Sequence, residues 1–240
     1  MKEIRLYNVK INDVTLEEAV TFALSRQRSP CFTVTPNAVM LDACRREPAY
    51  AALLNRAALS LPDGAGVIWA ARRKGTPLRT RVAGIAFGEA LLARAAETGL
   101  RVFLLGGKEG VAAQAAQNLR LRHPTLRICG VHHGYFEKTG EEDRQVTEEI
   151  RAARPDLLFV CFGFPIQEGW IVAHLPQLKD VRVIAGLGGS LDVWAGNVKR
   201  APTAVSRRGL EWAWRMAKEP KRLRHLPALL RVGLFGGWRG

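Results

Sequence analysis

Asp63 is the residue whose type and position best fit enzymatic chemistry. It stands in the stretch LPDGAG (61–66), where the short apolar run Ala57–Leu61 ends and a helical pattern begins. Carboxylates serve enzymes as acids and bases, and a carboxylate at a strand end, followed by Gly-Ala-Gly, is typical of a catalytic loop. Aspartate is also a preferred N-cap of helices, so a purely structural role at this position stays open.

Further polar residues and glycines close the strand-like runs of the chain. Thr35-Pro36-Asn37 closes the first strong run, where its side chains could equally close a turn. Glycines follow three later runs, at Gly106-Gly107, Gly163 and Gly186–Gly189. Glycines in such places let backbone N–H groups approach a phosphate. Each could also be an ordinary turn residue, because none belongs to a complete G-x-G-x-x-G or Walker A motif.

Motifs for metal or nucleophile chemistry are missing from the sequence. It has no H-E-x-x-H, no G-x-S-x-G and no D-x-D, the aspartate pair that often holds a divalent cation on a nucleotide diphosphate. His132 and His133 are adjacent, so their side chains point in different directions, which favours loop or packing roles. Four cysteines lie far apart without a C-x-x-C pair, as expected of reduced thiols in the cytosol: Cys31, Cys44, Cys129 and Cys161. We predict no metal and no cofactor.

A repeated βα rhythm runs through most of the chain. Five apolar runs have strand length and lack polar alternation, as expected of parallel strands covered on both faces. They are residues 31–35, 101–106, 126–131, 156–163 and 181–188. Amphipathic helical stretches separate several of them, and the length of 240 residues suits one main domain. We predict an α/β, Rossmann-like, doubly wound and mainly parallel sheet, with the pocket outside the carboxyl ends of its strands.

The charge of the chain is strongly positive and concentrated near its end. Lysine and arginine total 36 against 22 aspartates and glutamates, which gives a net charge of +14. Eleven of these basic residues and only two acidic ones lie beyond residue 194, where the βα units give way to a helical pattern. We predict a core domain over residues 1–198 and a basic helical appendage over residues 199–240.

The appendage combines leucines at roughly helical spacing with arginines, in EPKRLRHLPALLRVGLFGGW (219–238). An apolar stripe flanked by arginines fits a helix that lies in a membrane interface, while an ordinary surface helix or a dimer arm stays open. The sequence has no apolar run of about 18 residues and no apolar segment at its start. We therefore predict neither a transmembrane helix nor a signal peptide.

Six stretches of the sequence, in this order, resemble the WecG/TagA/CpsF glycosyltransferases. They are LPDGAGVIWAARRKG (61–75), TRVAG (80–84), LLGG (104–107), FGFPIQEGW (162–170), GLGGSLDVWAGNVKRAP (186–202) and GLEWAWRMAKEPKRLR (209–224). The resemblance runs from about Ile4 to Arg224, which is nearly the whole chain. Each stretch alone is a weak signal, but their order and natural spacing together are strong.

The resemblance implies an inverting glycosyltransferase that works without a bound metal. Its donor would be a UDP-sugar carrying a hexose, with N-acetylmannosamine favoured, and its acceptor a polyprenyl-diphosphate-linked N-acetylglucosamine or similar sugar. The product would enter teichoic acid or another bacterial surface polysaccharide. Glucose or N-acetylmannosamine uronic acid as the donated hexose, in exopolysaccharide synthesis, stays open. The protein would be cytoplasmic and peripheral on the anionic inner face of the cell membrane; whether it forms a homo-oligomer is open.

The resemblance also implies roles for single residues in the pocket. Asp63 would be the general base that takes the proton from the acceptor hydroxyl. Arg81 of TRVAG would clamp the diphosphate with its planar guanidinium, unless it forms only a surface salt bridge. Thr35, Asn37 and Gln167 would be substrate-binding residues that hydrogen-bond sugar hydroxyls or the N-acetyl group.

Two further sets of residues would bind the nucleotide and the departing diphosphate. Gly106, Gly107, Gly188 and Asp192 would contribute to nucleotide binding. Three arginines of the appendage would neutralise the departing diphosphate in place of a metal: Arg215, Arg222 and Arg224. The segment after Arg224 departs from the family, where more basic residues are usual, so its docking mode is open.

Two unrelated functions are weighed against this one. A nucleic-acid-binding module is suggested by the charge alone, but it would interleave basic and aromatic residues on a recognition scaffold, whereas the charge here accompanies a leucine stripe. A dehydrogenase would need a G-x-G-x-x-G turn with an acidic residue about 20 positions later, and the sequence lacks it. We predict no nucleic-acid partner.

Overall fold

Strands and helices alternate along the part of the chain that this computed structural model describes, residues 1–25, 30–199, 201–202, 205, 211–218, 223 and 226–235. The strands are β1 (Glu3–Leu6), β2 (Val9–Asn12), β3 (Cys31–Val34), β4 (Leu59–Ser60), β5 (Arg101–Gly106), β6 (Arg127–His132), β7 (Leu157–Cys161) and β8 (Val183–Gly186). The helices up to residue 194 are α1 (Leu16–Ser25), α2 (Ala38–Arg46), α3 (Pro48–Leu54), α4 (Ala65–Arg73), α5 (Gly84–Thr98), α6 (Val111–Arg122), α7 (Gly140–Ala153), α8 (Ile166–His174) and α9 (Ser190–Trp194). Among the described residues of the appendage, α10 (Glu211–Lys218) and α11 (Leu226–Phe235) follow.

Six of these strands form one parallel sheet in the order β4-β3-β8-β7-β5-β6. The central strands β7 and β8 are buried at every residue, which explains why their sequences are apolar without alternation. Parallel strands place all their carboxyl ends at one edge, so the loops after them meet there. This confirms the predicted α/β, Rossmann-like, doubly wound sheet.

Helices cover both faces of the sheet. One hydrophobic cluster joins Phe32 and Val34 of β3 with Leu41 of α2 and Ile171 of α8. The other cluster lies on the opposite face, where helices α1, α5, α6 and α9 contribute buried residues such as Trp194. The four cysteines are in the thiol form, and burial raises the pKa of Cys44 and Cys161 to about 12 each.

The appendage helix α11 packs on the core domain rather than standing apart from it. Leu229 and Val232 are buried in the same cluster as Phe32. The guanidinium of Arg231 forms a bidentate ion pair with the fully buried Asp42 of α2, at 2.9 Å from Nε to Oδ1 and 2.7 Å from Nη2 to Oδ2. Among the described residues, no helix has the length and apolar content needed to span a bilayer. The division at residue 198 into core and appendage stays a prediction.

Candidate active site

A cavity of about 230 Å³ lies at the carboxyl ends of β3, β4, β7 and β8. Four side chains predicted for the site line it, although they come from three separate parts of the sequence: Thr35, Asn37, Asp63 and Gln167. Gly188, predicted for nucleotide binding, also lines it. Each of these residues lies within three residues of the end of a strand or of the start of a helix, as the strand-end reasoning expects.

The carboxylate of Asp63 faces the N terminus of α5 rather than capping its own helix. The N-cap of α4 is Gly64, at φ +88°, so Asp63 lies one residue before the cap. The backbone of Asp63 is held by its N–H, which donates to the carbonyl of Pro36 at 3.1 Å. Its Oδ2 accepts from the N–H of Gly84 at 3.4 Å. A helix N terminus attracts negative charge, so α5 favours a carboxylate at this half-buried position.

Asn37 and Thr35, which follow β3, also line the cavity. Asn37 caps α2, because its Oδ1 accepts from the N–H groups of Val39 at 3.0 Å and Met40 at 3.2 Å. This local role is the alternative that the sequence left open, and a bond from Asn37 to a ligand would have to come from Nδ2. Thr35 is buried against Gly84, where an added Cβ would lie 2.9 Å from Cγ2 of the threonine. Gly84 therefore lets α5 approach Thr35.

Gln167 joins two loops of the site through its side-chain amide. Its Oε1 accepts from the N–H of Gly163, after β7, at 3.2 Å and from the N–H of Gly188, after β8, at 3.0 Å. Its Nε2 donates to Oε1 of Glu168 at 2.8 Å. The predicted hydrogen bond to a sugar could come only from the second hydrogen of Nε2, because Oε1 already accepts two bonds.

A second cavity, of about 830 Å³, adjoins the first at the same edge of the sheet. Gly188 and Gly189 line both cavities. Two other residues predicted for nucleotide binding, Gly107 and Asp192, line the second one. Gly106 has a different place: at φ +139°, an added Cβ would lie 2.5 Å from the carbonyl oxygen of Cys161, so only glycine fits between β5 and β7.

Two lysines of the second cavity were not singled out from the sequence. Lys108 follows the glycines after β5, and Lys138 lies between β6 and α7. The ammonium of Lys138 donates to the carbonyls of Gly134 and Phe136, both at 2.7 Å, and lies 3.6 Å from the centre of the Phe136 ring. Burial lowers the pKa of Lys138. Lys108 could have been found because it directly follows Gly106-Gly107, whereas Lys138 adjoins none of the strand-end glycines named from the sequence.

Comparison with known proteins decides the relationship of the chain. A family model, the glycosyl transferase WecG/TagA/CpsF family, matches residues 4–235. The chain belongs to this family. It is 37% identical over 200 residues to an N-acetylglucosaminyldiphosphoundecaprenol N-acetyl-beta-D-mannosaminyltransferase of Bacillus spizizenii, covering 83% of this chain and 76% of the relative. It is 35% identical over 214 residues to a protein of the same name from Staphylococcus aureus, covering 89% of this chain and 82% of the relative.

The remaining predicted residues of this WecG/TagA/CpsF member either line neither cavity or have side chains that the structure does not describe. Arg81 is half-buried and precedes Val82, whose N–H donates to the carbonyl of Pro62 at 3.0 Å, but its side chain does not line the first cavity. Arg215 belongs to α10, and only its backbone is described. Arg222 and Arg224 lie outside the described residues. Their roles, like those of the other predicted site residues, stay predictions.

Glu168 is a buried acid of this family member that the sequence reasoning missed. Its side chain is fully buried, and burial raises its pKa to about 7 from the usual 4.5. Its Oε1 accepts from Gln167, while Oε2 has no hydrogen-bond partner among the described residues. The only signal in the sequence was its place beside Gln167 in FGFPIQEGW.

The raised pKa of Glu168 predicts a stability that falls as the pH rises. Below the unfolded-state pKa both states are protonated; between that value and about 7, the unfolded chain releases a proton that the folded protein retains. We expect the free energy of unfolding to fall by up to about 3 kcal/mol between about pH 5 and pH 8. Urea denaturation across this pH range should show the fall in the free energy of unfolding for the parent. The same measurement on Glu168→Gln should show a smaller fall. The exposed control Glu109→Gln should keep the parent slope; identical profiles for parent and Glu168→Gln would contradict the prediction.

Proposed function

We propose that the chain is an inverting glycosyltransferase that moves N-acetylmannosamine from a UDP-sugar to N-acetylglucosamine linked through diphosphate to a polyprenyl lipid. The observation that carries the proposal is the Asp63 carboxylate on the wall of the strand-end cavity, in a chain whose relatives are named for this type of transfer. The product would enter teichoic acid or a related surface polysaccharide of a bacterium. The protein would act at the cytoplasmic face of the membrane.

The reaction needs one base and one stabilised leaving group. Asp63 would take the proton of the acceptor hydroxyl while that oxygen attacks the anomeric carbon of the donor. The bond from this carbon to the phosphate oxygen would break on the opposite face, so UDP would leave with the electron pair and the anomeric configuration would invert. The hydrogen bond from Gly84 and the N terminus of α5 support a carboxylate oriented toward the cavity.

The second cavity suits the nucleotide of the donor. Lys108 and Lys138 line it together with the carboxylates of Glu137, Glu142 and Asp192, so the proposal places the diphosphate at the two lysines. The backbone of Gly107 and Gly188 also lines the cavity. Asp192 would accept a hydrogen bond from a nucleoside hydroxyl. Since Gly188 and Gly189 border both cavities, a diphosphate in the second would place its sugar near Asp63 in the first.

The charge on the leaving diphosphate would be neutralised by cationic side chains without a bound metal. Lys108 and Lys138 would contribute together with Arg81 and the appendage arginines Arg215, Arg222 and Arg224, as the resemblance implies. Addition of a chelator would then leave the rate unchanged.

The test is a donor panel with the purified full chain and a short-chain polyprenyl-diphosphate-linked N-acetylglucosamine. UDP-N-acetylmannosamine, UDP-glucose and UDP-N-acetylmannosamine uronic acid would be compared by mass spectrometry, each with and without chelator. We expect transfer from the first donor with inversion, read by NMR of the product. Transfer from another UDP-hexose would favour the alternative donors; no product from any, or retained configuration, would contradict the proposal.

We propose that the protein binds the membrane, and so reaches its lipid-linked acceptor, through a surface made by α4 and α11. This surface, named here the α4–α11 surface, is formed by Trp69, Arg72, Arg73 and Leu230. All four side chains are exposed. The ring of Trp69 packs against Gly233 of α11, one turn from Leu230. Aromatic and aliphatic groups beside arginines are the composition of an interfacial membrane contact. Helix α4 begins two residues after Asp63, so this surface adjoins the catalytic loop.

The double charge reversal Arg72→Glu/Arg73→Glu should weaken binding to vesicles containing anionic phosphatidylglycerol by at least about tenfold, because each basic residue near such a surface contributes about 1 kcal/mol. Cosedimentation at two salt concentrations measures this. A matched control is Arg120→Glu/Arg122→Glu on α6, which changes the net charge equally at two exposed positions. Equal loss in both variants would show a net-charge effect only, and binding to random RNA as tight as to vesicles would favour a nucleic-acid function.

A further inference from the structure

We propose that Glu168 is a positioning residue: its buried carboxyl group fixes the orientation of the Gln167 amide, and through it the two loops that border both cavities. Glu168 lines neither cavity, so it would act only through Gln167. The consequence for sugar transfer rests on the proposed function, whereas the consequence for the two loops does not.

The two loops are joined at a single atom. Oε1 of Gln167 accepts from Gly163 and Gly188, which belong to loops after neighbouring strands β7 and β8. Gly163 lines the second cavity, and Gly188 lines both. The geometry of this shared wall therefore depends on which end of the Gln167 amide points at the two N–H groups.

A glutamine amide can turn end for end, because its oxygen and nitrogen have nearly the same size. If it turned here, Nε2 would face two backbone N–H donors and all three bonds would be lost. Glu168 opposes that turn, since its Oε1 accepts from Nε2 at 2.8 Å and would repel the amide oxygen. The amide also rests directly on the end of β8, because a Cβ on Gly186 would lie 2.8 Å from Nε2, but this contact does not distinguish the two ends of the amide.

Burying a carboxylic acid costs free energy, because the group loses its contacts with water. Glu168 has no exposed surface, and its Oε2 makes no hydrogen bond within the described residues. An apolar side chain of similar volume would fill the space without the desolvation penalty. What the apolar side chain could not do is accept the hydrogen bond that orients Gln167.

The test reverses which side chain donates and which accepts in the hydrogen bond between positions 167 and 168. In Gln167→Glu, one carboxylate oxygen can still accept from Gly163 and Gly188, but the other faces the carboxyl group of Glu168, and the variants are compared above pH 7, where Glu168 is ionised in the parent. In the double variant Gln167→Glu/Glu168→Gln, the new amide at position 168 donates to the carboxylate at 167, so the bond is restored with reversed polarity. Glu168→Met removes the acceptor at similar volume, and Glu168→Gln retains an acceptor.

Two measurements separate the outcomes. Hydrogen exchange of the Gly163 and Gly188 amides needs no ligand: we expect at least about tenfold faster exchange in Gln167→Glu and Glu168→Met, a smaller change in Glu168→Gln, and recovery of most of the loss in the double variant. In the transfer assay, the single changes should raise KM for the UDP-sugar by about tenfold and change kcat much less, because Asp63 is untouched.

The proposal is overturned if Glu168→Met leaves both amides as protected as in the parent, or if the double variant is no better than Gln167→Glu. A uniform fall in kcat with unchanged KM would also overturn it, because that pattern indicates general loss of folded protein. If the parent transfers no sugar at all, the proposed function fails while the exchange of the two amides still decides the role of Glu168.

Discussion

Asp63→Asn is expected to lower kcat by about 10² or more while leaving the fold and UDP affinity intact. An asparagine has nearly the same shape, and its Oδ1 can still accept from the N–H of Gly84. What it loses is the ability to take a proton from the acceptor hydroxyl, and general-base catalysis typically contributes 10² to 10⁴ in rate. Steady-state kinetics with saturating donor and acceptor measures kcat, and calorimetry with UDP measures affinity.

The matched control for this prediction is Asp180→Asn, which removes an exposed carboxylate that does not line either strand-end cavity. Its kcat should equal that of the parent. Transfer by Asp63→Asn at the parental rate would remove Asp63 from the chemistry, and loss of UDP binding together with activity would instead indicate a structural role for the carboxylate.

Arg231→Ala is expected to destabilise the protein by about 2 kcal/mol. Removing one partner of a fully buried ion pair typically costs about 3 to 5 kcal/mol, and the half-exposed guanidinium of Arg231 reduces that figure. The hydrogen bonds from Arg231 are the first cause of the lowered pKa of Asp42, ahead of its other arginine neighbours. Without Arg231, the buried carboxylate would keep the contacts of Arg45 and Arg46, both at 3.5 Å.

Urea denaturation at neutral pH measures this loss, and Arg46→Ala is the matched control. Arg46 also contacts Asp42, but it is more exposed and more distant, so its removal should cost less than about 0.5 kcal/mol. The double variant Asp42→Ala/Arg231→Ala completes a double-mutant cycle. Additive losses would mean that Asp42 and Arg231 do not stabilise each other and that α11 is held by its apolar contacts alone.

The sheet could be predicted from the sequence because burial on both faces removes polar residues from a parallel strand. The run 101–106 is β5 itself, and the runs 156–163 and 181–188 contain β7 and β8 with the loops that follow. The hairpin of β1 and β2 was missed, because its strands are four residues long and its turn depends on Tyr7 and Asn8 at positive φ. A turn of that kind favours asparagine but is not marked by it alone.

The candidate site was only partly predictable, for a physical reason. Asp63, Thr35 and Asn37 follow strands, and the carboxyl ends of parallel strands meet at one edge whatever the details of packing. The burial of Glu168 depends on which helix covers which strand, and the partnership of Asp42 with Arg231 joins positions 189 residues apart. Local patterns carry no information about such pairs, so they could be found only in the folded chain.

Because α11 packs on the core domain, the loss of activity after a C-terminal deletion would have more than one explanation. Removing the C-terminal segment would expose the apolar surface that Leu229 and Val232 cover. It would also remove Arg231, the strongest ion-pair partner of Asp42. An inactive truncated protein would therefore confuse loss of the appendage's chemistry with damage to α2, the helix that Asn37 begins. Single-residue changes that leave the buried side of α11 intact therefore test the role of the appendage more directly than a deletion does.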